Sequence, residues 1–244
     1  MESAIVLSGG GIKSAVAAAC VAKTYRVTFL HVNFGQRAAE TEIDALRRFV
    51  DGVGGIKIVT VDLNYPLQIQ QQLTGTAGLD HVMTGTEGMV GSTTLDAAGP
   101  SGTWPALVWA GAQAAIRVGA RRVVSGLSKF EGAPHLGMPN GDQGFSGLAT
   151  LAYDLNACIR HFTGEGRDVD LELPLLNRTY TEIIKLGVHV GVDLERTWTC
   201  VSPPSARGRR HGCQRCPNCR ARSRAFTEAR FTDPFELETA RARN

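Results

Sequence analysis

The sequence has no apolar run of about 18 residues, so no membrane-spanning helix is expected. It has no charged start followed by a long apolar segment. MESAIVLSGG passes straight into a strand-like run, which argues against a secretory signal and for a reducing, cytoplasmic setting. An excess of one charge is also missing: 26 Lys and Arg against 23 Asp and Glu leave a formal +3, too little to argue for a nucleic-acid partner. The basic residues crowd into 207–230, but without the aromatic interleaving that base stacking needs. Neither G-x4-G-K-S/T nor G-x-G-x-x-G occurs, which excludes two common phosphate-binding motifs. There is no internal repeat and no low-complexity tract. What is present is a globular composition, 43% hydrophobic and 20% charged, in 244 residues. That suits one large α/β domain, or one with a small appendage.

Strand and helix patterns alternate. Residues 4–8 (AIVLS), 26–32 (RVTFLHV), 55–62 (GIKIVTVD), 121–127 (RRVVSGL) and 168–173 (DVDLEL) read as strands. Residues 12–23, Gln36 to Val50, 104–118, 145–163 and 179–190 read as helices, the second with Ala39, Ile43, Leu46 and Val50 as its apolar stripe. Short buried strands separated by helices imply a parallel sheet with covered faces. Residues 64–102, rich in Gln, Gly, Thr and Ser, read as a long functional loop, and 128–144 as a second one.

Two places carry chemistry. The spacing Cys200-x12-Cys213-x2-Cys216-x2-Cys219 provides four thiolates for a tetrahedral Zn²⁺, with His211 as a spare ligand and an iron–sulfur cluster as the alternative. Arg207, Arg209, Arg210, Arg215 and Arg220 would offset the charge of four thiolates. Cys20 and Cys158 stand apart and read as small core residues. The second place is Ser8-Gly9-Gly10-Gly11-Ile12-Lys13-Ser14, between the first strand and the first helix. Glycines let backbone N–H groups approach an anion, the helix N-terminus adds partial positive charge, Lys13 a full charge and Ser14 a hydroxyl. Plain strand-to-helix packing is the bland alternative. Around this turn, His31 reads as a satisfied strand-end histidine, Phe34 as a ring able to stack on a base, and Trp104 and Trp109 as core. His135, His161 and His189 lack ligand spacing, while Glu131 and Asp142 are loop carboxylates available to Mg²⁺, with plain solvation as the commoner fate of such groups.

Together these features resemble the 7-cyano-7-deazaguanine synthase family of PP-loop ATP pyrophosphatases. AIVLSGGGIKS is similar to its strand followed by S-G-G-x-D-S, with Gly10, Gly11 and Ser14 on the motif. Asn33-Phe34-Gly35-Gln36-Arg37, with Glu40 after it, resembles D-Y-G-Q-R. Ser125-Gly126 resembles a T-G segment, and Pro174-Leu175 with Glu182-Ile183-Ile184-Lys185-Leu186-Gly187 the P-L…K-x-E-I-I-K-L-G helix. Thr199-Cys200, the clustered cysteines, Arg220, Phe226 and Asp233-Pro234 follow the zinc tail. The resemblance implies a Rossmann-like (HUP-type) parallel sheet with helices on both faces. It also implies an ATP-binding domain over 1–190 and a zinc-binding segment over 191–244. The chemistry it implies is adenylation of a 7-deazaguanine-type carboxylate by ATP with Mg²⁺. Ammonia then gives the amide, and a further ATP-driven dehydration the nitrile. A homodimer is compatible with it.

Four departures fall at the chemistry. The signature Asp is Lys13, and the expected Lys is Tyr180. Thr103-Trp104-Pro105-Ala106 lacks the Arg and Asn of V-P-x-R-N, and 128–144 does not match the acidic, aromatic substrate loop. If both positions lie near phosphate, Lys13 restores the charge lost at Tyr180. The site residues implied are Lys13, Ser14, Gln36 and Arg37 for catalysis, with Ser8, Gly9, Gly10, Gly11, Ile12, Phe34 and Gly126 for the nucleotide. Three readings stand at this stage: a ligase of this type, a nucleotide- or partner-binding module with altered catalysis, and a PP-loop enzyme acting on another acid.

Overall fold

The computed structural model describes residues 1–62, 103–128, 142–163, 169–201 and 212–236. Its strands are β1 (Glu2–Leu7), β2 (Tyr25–Asn33), β3 (Gly55–Asp62), β4 (Arg122–Val124) and β5 (Asp170–Glu172). They form one parallel sheet in the order β3-β2-β1-β4-β5. The helices are α1 (Ile12–Val21), α2 (Ala39–Phe49), α3 (Thr103–Val118), α4 (Asp142–Thr163), α5 (Tyr180–His189) and α6 (Pro217–Ala229).

Side-chain alternation along β1 divides the core in two. Ala4 and Val6 face α1, α2, α5 and α6, packing with Phe29, Leu46, Ile183, Ile184 and Phe226. Ile5 and Leu7 face α3 and α4, packing with Leu30, Val108, Val123 and Ile159. Both faces are therefore covered, as the short apolar strands require. The chain moves outward from β1 to β3, then returns to lay β4 on the other side of β1. This reversal opens a crevice beyond the carboxyl ends of β1 and β4, where ligands bind in such sheets.

Several elements differ from the sequence expectation. The second helix begins at Ala39 rather than Gln36, because Gln36 spends its side chain on the preceding turn. Its buried positions are Ala45, Leu46 and Phe49, a stripe rotated from Ala39, Ile43, Leu46 and Val50. The fourth strand is three residues long, and α4 starts at Asp142 rather than 145. Trp109, expected in the core, is 39% exposed, and Cys158 is exposed as well. The cysteine tail holds the unforeseen helix α6. Cys216 caps it by accepting from the Cys219 N–H at 3.4 Å, and Pro217 occupies its first turn. A capping box anchors α5: Thr179 Oγ1 accepts from the Glu182 N–H at 3.0 Å, and Glu182 Oε2 from the Thr179 N–H at 2.7 Å. That cap stabilises the helix by about 1 kcal/mol. The 64–102 loop, Glu131, His135, Arg207, Arg209, Arg210 and His211, and the side chains of Trp104 and Asp142, lie outside the described residues.

Candidate nucleotide site and metal centre

The glycine turn joins β1 to α1 at the sheet's switch point. Its hydroxyls are used locally: Ser8 Oγ lies 2.9 Å from Ser14 Oγ and accepts from the Gly10 N–H at 3.2 Å. Ser14 Oγ donates to the Gly11 carbonyl at 3.0 Å. Gly10 adopts φ +70°, and a Cβ there would overlap the Glu42 carbonyl oxygen of α2. Only glycine satisfies both demands. Gly126, after β4, backs onto α1: a Cβ there would stand 2.7 Å from the Lys13 carbonyl. From the other side the Trp198 N–H donates to the Gly10 carbonyl at 2.8 Å. The turn is thus clamped by β4, α2 and the chain leading into Cys200.

Beside it lies a cavity of about 180 Å³. Ser8, Gly9, Phe34 and Gln36 line it, as do Leu7, Leu30, Val32, Leu107, Ser125 and Glu42. Its walls are apolar and its polar groups converge at the glycine-turn end, the usual make-up of a small-molecule site. A larger hollow of about 300 Å³ sits between α5, α6 and residues 192–195. It holds none of the predicted site residues, and we place no chemistry there.

The remaining predicted residues divide. Gln36 braces the β2–α2 turn: its Oε1 accepts from the Phe34 N–H at 2.9 Å, and its Nε2 donates to the Val32 carbonyl and to Glu42 Oε2. Arg37 is exposed. The Ile12 side chain lies in the core, leaving its backbone as what the turn can offer. Lys13 turns towards α5, its Nζ 4.7 Å from the centre of the Tyr180 ring. Two of the four departures from the resemblance, Lys13 and Tyr180, are therefore in contact. Burial lowers Lys13 from 10.5 to about 7, while the face of an aromatic ring favours the charged form. Burial pushes the Tyr180 phenol up, and its hydroxyl hydrogen-bonds Thr199.

Sequence reasoning missed Glu42 altogether. The expected stripe put it on the polar side of α2, yet the helix is rotated so that its carboxyl enters the cavity wall. Burial pushes it from 4.5 up to about 7, against the opposing hydrogen bond from Gln36. His31 is buried and satisfied on one side only: Nδ1 lies 3.0 Å from the Ser8 carbonyl oxygen.

Cys200, Cys213, Cys216 and Cys219 come together with all four sulfurs within 4.8 Å of one another. Tetrahedral zinc, with Zn–S near 2.3 Å, needs sulfurs about 3.8 Å apart. Cys200 and Cys216 are 4.0 Å apart. Backbone N–H groups point at the sulfurs, from Cys213 to Cys200 at 3.2 Å and from Cys216 to Cys213 at 3.3 Å. Gly212 leaves room: a Cβ there would stand 2.7 Å from Cys219 Sγ and 2.8 Å from Cys200 Cβ. The donor set fits a thiophilic metal. Without one, sharing of protons among the thiols pushes Cys200 up to about 12 and Cys219 up, while Cys216 is held down.

Arg215 and Arg220 are exposed, whereas the buried cation here is Arg222. Its Nε donates to Asp233 at 2.9 and 3.1 Å, and its Nη1 to Thr197 and Thr199 at 3.2 Å. Its guanidinium lies 3.7 Å from the Phe235 ring centre. Trp198 packs against Phe235, and its indole N–H donates to the Cys200 carbonyl at 2.7 Å. The same residue thus touches the cysteine centre through its side chain and the glycine turn through its backbone.

Residues 3–230 match the sequence profile of the family described as queuosine biosynthesis protein QueC. The chain belongs to the QueC family. A 7-cyano-7-deazaguanine synthase of Acinetobacter baylyi is 31% identical over 234 residues, 95% of this chain and 93% of that protein. Another so named, from Ralstonia pickettii, is 31% identical over 236 residues, 96% of this chain and 97% of that protein. In this QueC-family chain the strand order is that of a Rossmann-like sheet. Among the described residues no helix is long and apolar enough to cross a membrane.

Proposed function

We propose that the protein is an ATP-dependent ligase that converts a 7-deazaguanine-type carboxylate, with ammonia, into the amide and then the nitrile. The observation that carries this reading is the place of the glycine turn. It opens onto a cavity at the sheet's switch point, in a chain whose residues 3–230 match the QueC family. The carboxylate attacks the α-phosphorus of ATP, and pyrophosphate leaves. Ammonia attacks the acyl carbon, and AMP leaves with the former carboxylate oxygen. The dehydration repeats the activation on the amide oxygen.

In this reading residues 1–190 form the ATP-binding domain, and 191–244 a zinc-binding segment packed on it. The backbone of Ser8 to Ser14 holds phosphate oxygens at the start of α1, where the helix dipole adds to the N–H groups. Lys13 supplies the positive charge, held against Tyr180. Phe34 stacks on a ring and Gln36 keeps that wall rigid. Arg37 reaches in from the exposed rim, and Gly126 allows β4 to approach Lys13 and Ser14. Mg²⁺ bound with ATP would supply neutralising charge at the phosphates. The four cysteines hold one structural Zn²⁺, fastening the 197–200 segment against the glycine turn. A cytoplasmic homodimer accords with this reading.

The test is incubation of the purified protein with ATP, Mg²⁺, 7-carboxy-7-deazaguanine and ammonia. AMP, pyrophosphate and a nitrile product are expected by chromatography and mass spectrometry. ATP binding without AMP release would overturn the ligase reading.

A further inference from the structure

His31, which is buried, and Glu42, which is partly buried at the cavity wall, are titratable groups that the phosphate and zinc assignments leave without a task. His31 is 1% exposed. Its Nδ1 faces the Ser8 carbonyl at 3.0 Å, and a carbonyl only accepts, so Nδ1 carries the hydrogen. Neutral His31 therefore presents a lone pair at Nε2. Among the described residues that buried atom has no hydrogen-bond partner. Glu42 Oε2 lies 4.0 Å from it. A proton on this oxygen is the donor that Nε2 lacks, and a contraction of about 1 Å would complete the bond. The same oxygen accepts from Gln36 Nε2 at 2.9 Å, which fixes the carboxyl in place. The carboxyl lies flat on Gly9: a Cβ there would be 3.6 Å from Cδ and Oε2 and 3.7 Å from Oε1.

We propose that Glu42 and His31 hold one proton between them at the cavity wall, and that a phosphate-bearing ligand enters together with a proton. The proposal rests on the nucleotide reading given above. An ionised carboxylate beside an anion site repels the anion, and the anion in turn favours the protonated carboxyl. The proton comes from solvent, resides on Glu42 Oε2 and is donated towards His31 Nε2. Burial already raises Glu42 to about 7 and lowers His31, so neutral forms are close at hand. The other residues lining the wall, with Ser8, Gln36 and Ser125 as the polar side chains among them, carry no charge. Arg37 and Glu40 are exposed. Burial lowers Lys13 to about 7 as well, but it faces Tyr180, and its proton must be counted separately.

Calorimetry of ATP binding at pH 8, in buffers of different ionisation enthalpy, counts the protons taken up. Wild type and Lys13→Met are expected to take up a proton that Glu42→Gln does not, with Glu42→Gln binding ATP at least as tightly as wild type. Equal uptake by wild type and Glu42→Gln would overturn the proposal. Ligand-free protein supplies a check that needs no ATP. Infrared spectra should show a protonated-carboxyl band at pH 6 that is lost above pH 8 and absent from Glu42→Gln. Ring ¹⁵N shifts should give His31 as the Nδ1–H tautomer. Absence of the band, or an Nε2–H tautomer, sinks the shared proton whatever ATP does. Failure of every variant to bind ATP, with band and tautomer as expected, would instead remove the nucleotide reading and the coupling built on it.

Discussion

The cysteine centre and the glycine turn are assembled by opposite means. Three of the four cysteines lie within seven residues, and backbone N–H groups at the start of α6 aim at their sulfurs. The glycine turn takes its shape from distant parts of the chain: Glu42 on α2, Gly126 after β4 and Trp198 near the tail. A centre made locally keeps its meaning in its spacing. A turn made by long-range packing tolerates exchange of side chains provided the backbone contacts survive. The contact between Lys13 and Tyr180 is an exchange of that kind. The two regions meet at Trp198, so disturbance of one should be felt at the other.

The largest effect should come from the centre itself. On the zinc reading proposed above, Cys216→Ser is expected to lower bound zinc from about one ion per chain to none, because structural sites need all four ligands. The tail should then lose its order, and ATP affinity should fall as Trp198 releases Gly10. Metal analysis alongside calorimetry checks this, and undiminished ATP affinity in zinc-free protein would make the two regions independent. Next comes Arg222→Met, which strands Asp233 in the interior and should cost about 3–5 kcal/mol in urea unfolding. A loss below about 0.5 kcal/mol would return Arg222 to the class of surface charges.

A pH effect of somewhat smaller size is expected at the cavity wall. Burial pushes the Glu42 carboxyl from the ordinary 4.5 up to about 7. A raised carboxyl pKa favours the folded state at low pH, and that advantage is lost as pH climbs from about 4.5 through 7. The decline should reach up to about 3 kcal/mol at 1.36 kcal/mol per unit. Glu42→Gln should flatten this part of the stability–pH curve, and an unchanged slope would place the titrating group elsewhere. The smallest effect belongs to Lys13→Met. It should weaken ATP binding about tenfold at pH 6.5, or roughly 1.4 kcal/mol, with little change at pH 8.5, where the amine is largely neutral.

Much of the fold was legible because apolar runs report burial directly. β3 occupies 55–62 as read, and β1 and β2 begin and end within two residues of the 4–8 and 26–32 expected. The cysteine cluster was legible because ligand spacing is local. Glu42 was not, since a small rotation of α2 decides whether its carboxyl meets water or the cavity. Arg222 was hidden among basic neighbours, and only the fold separates the one buried against Asp233 from those left exposed. Tyr180 was visible as an anomaly in sequence, but its contact with Lys13 joins residues 167 positions apart, which periodicity cannot reveal.

The central claim is that a carboxylate is adenylated at the glycine turn of a chain whose cysteine centre holds that turn in place. The most direct test uses 7-carboxy-7-deazaguanine labelled with ¹⁸O in its carboxylate, together with ATP and ammonia, and mass analysis of the AMP formed. Adenylation predicts transfer of one labelled oxygen to the AMP phosphate in the first step. Unlabelled AMP, or ADP in its place, would contradict the account.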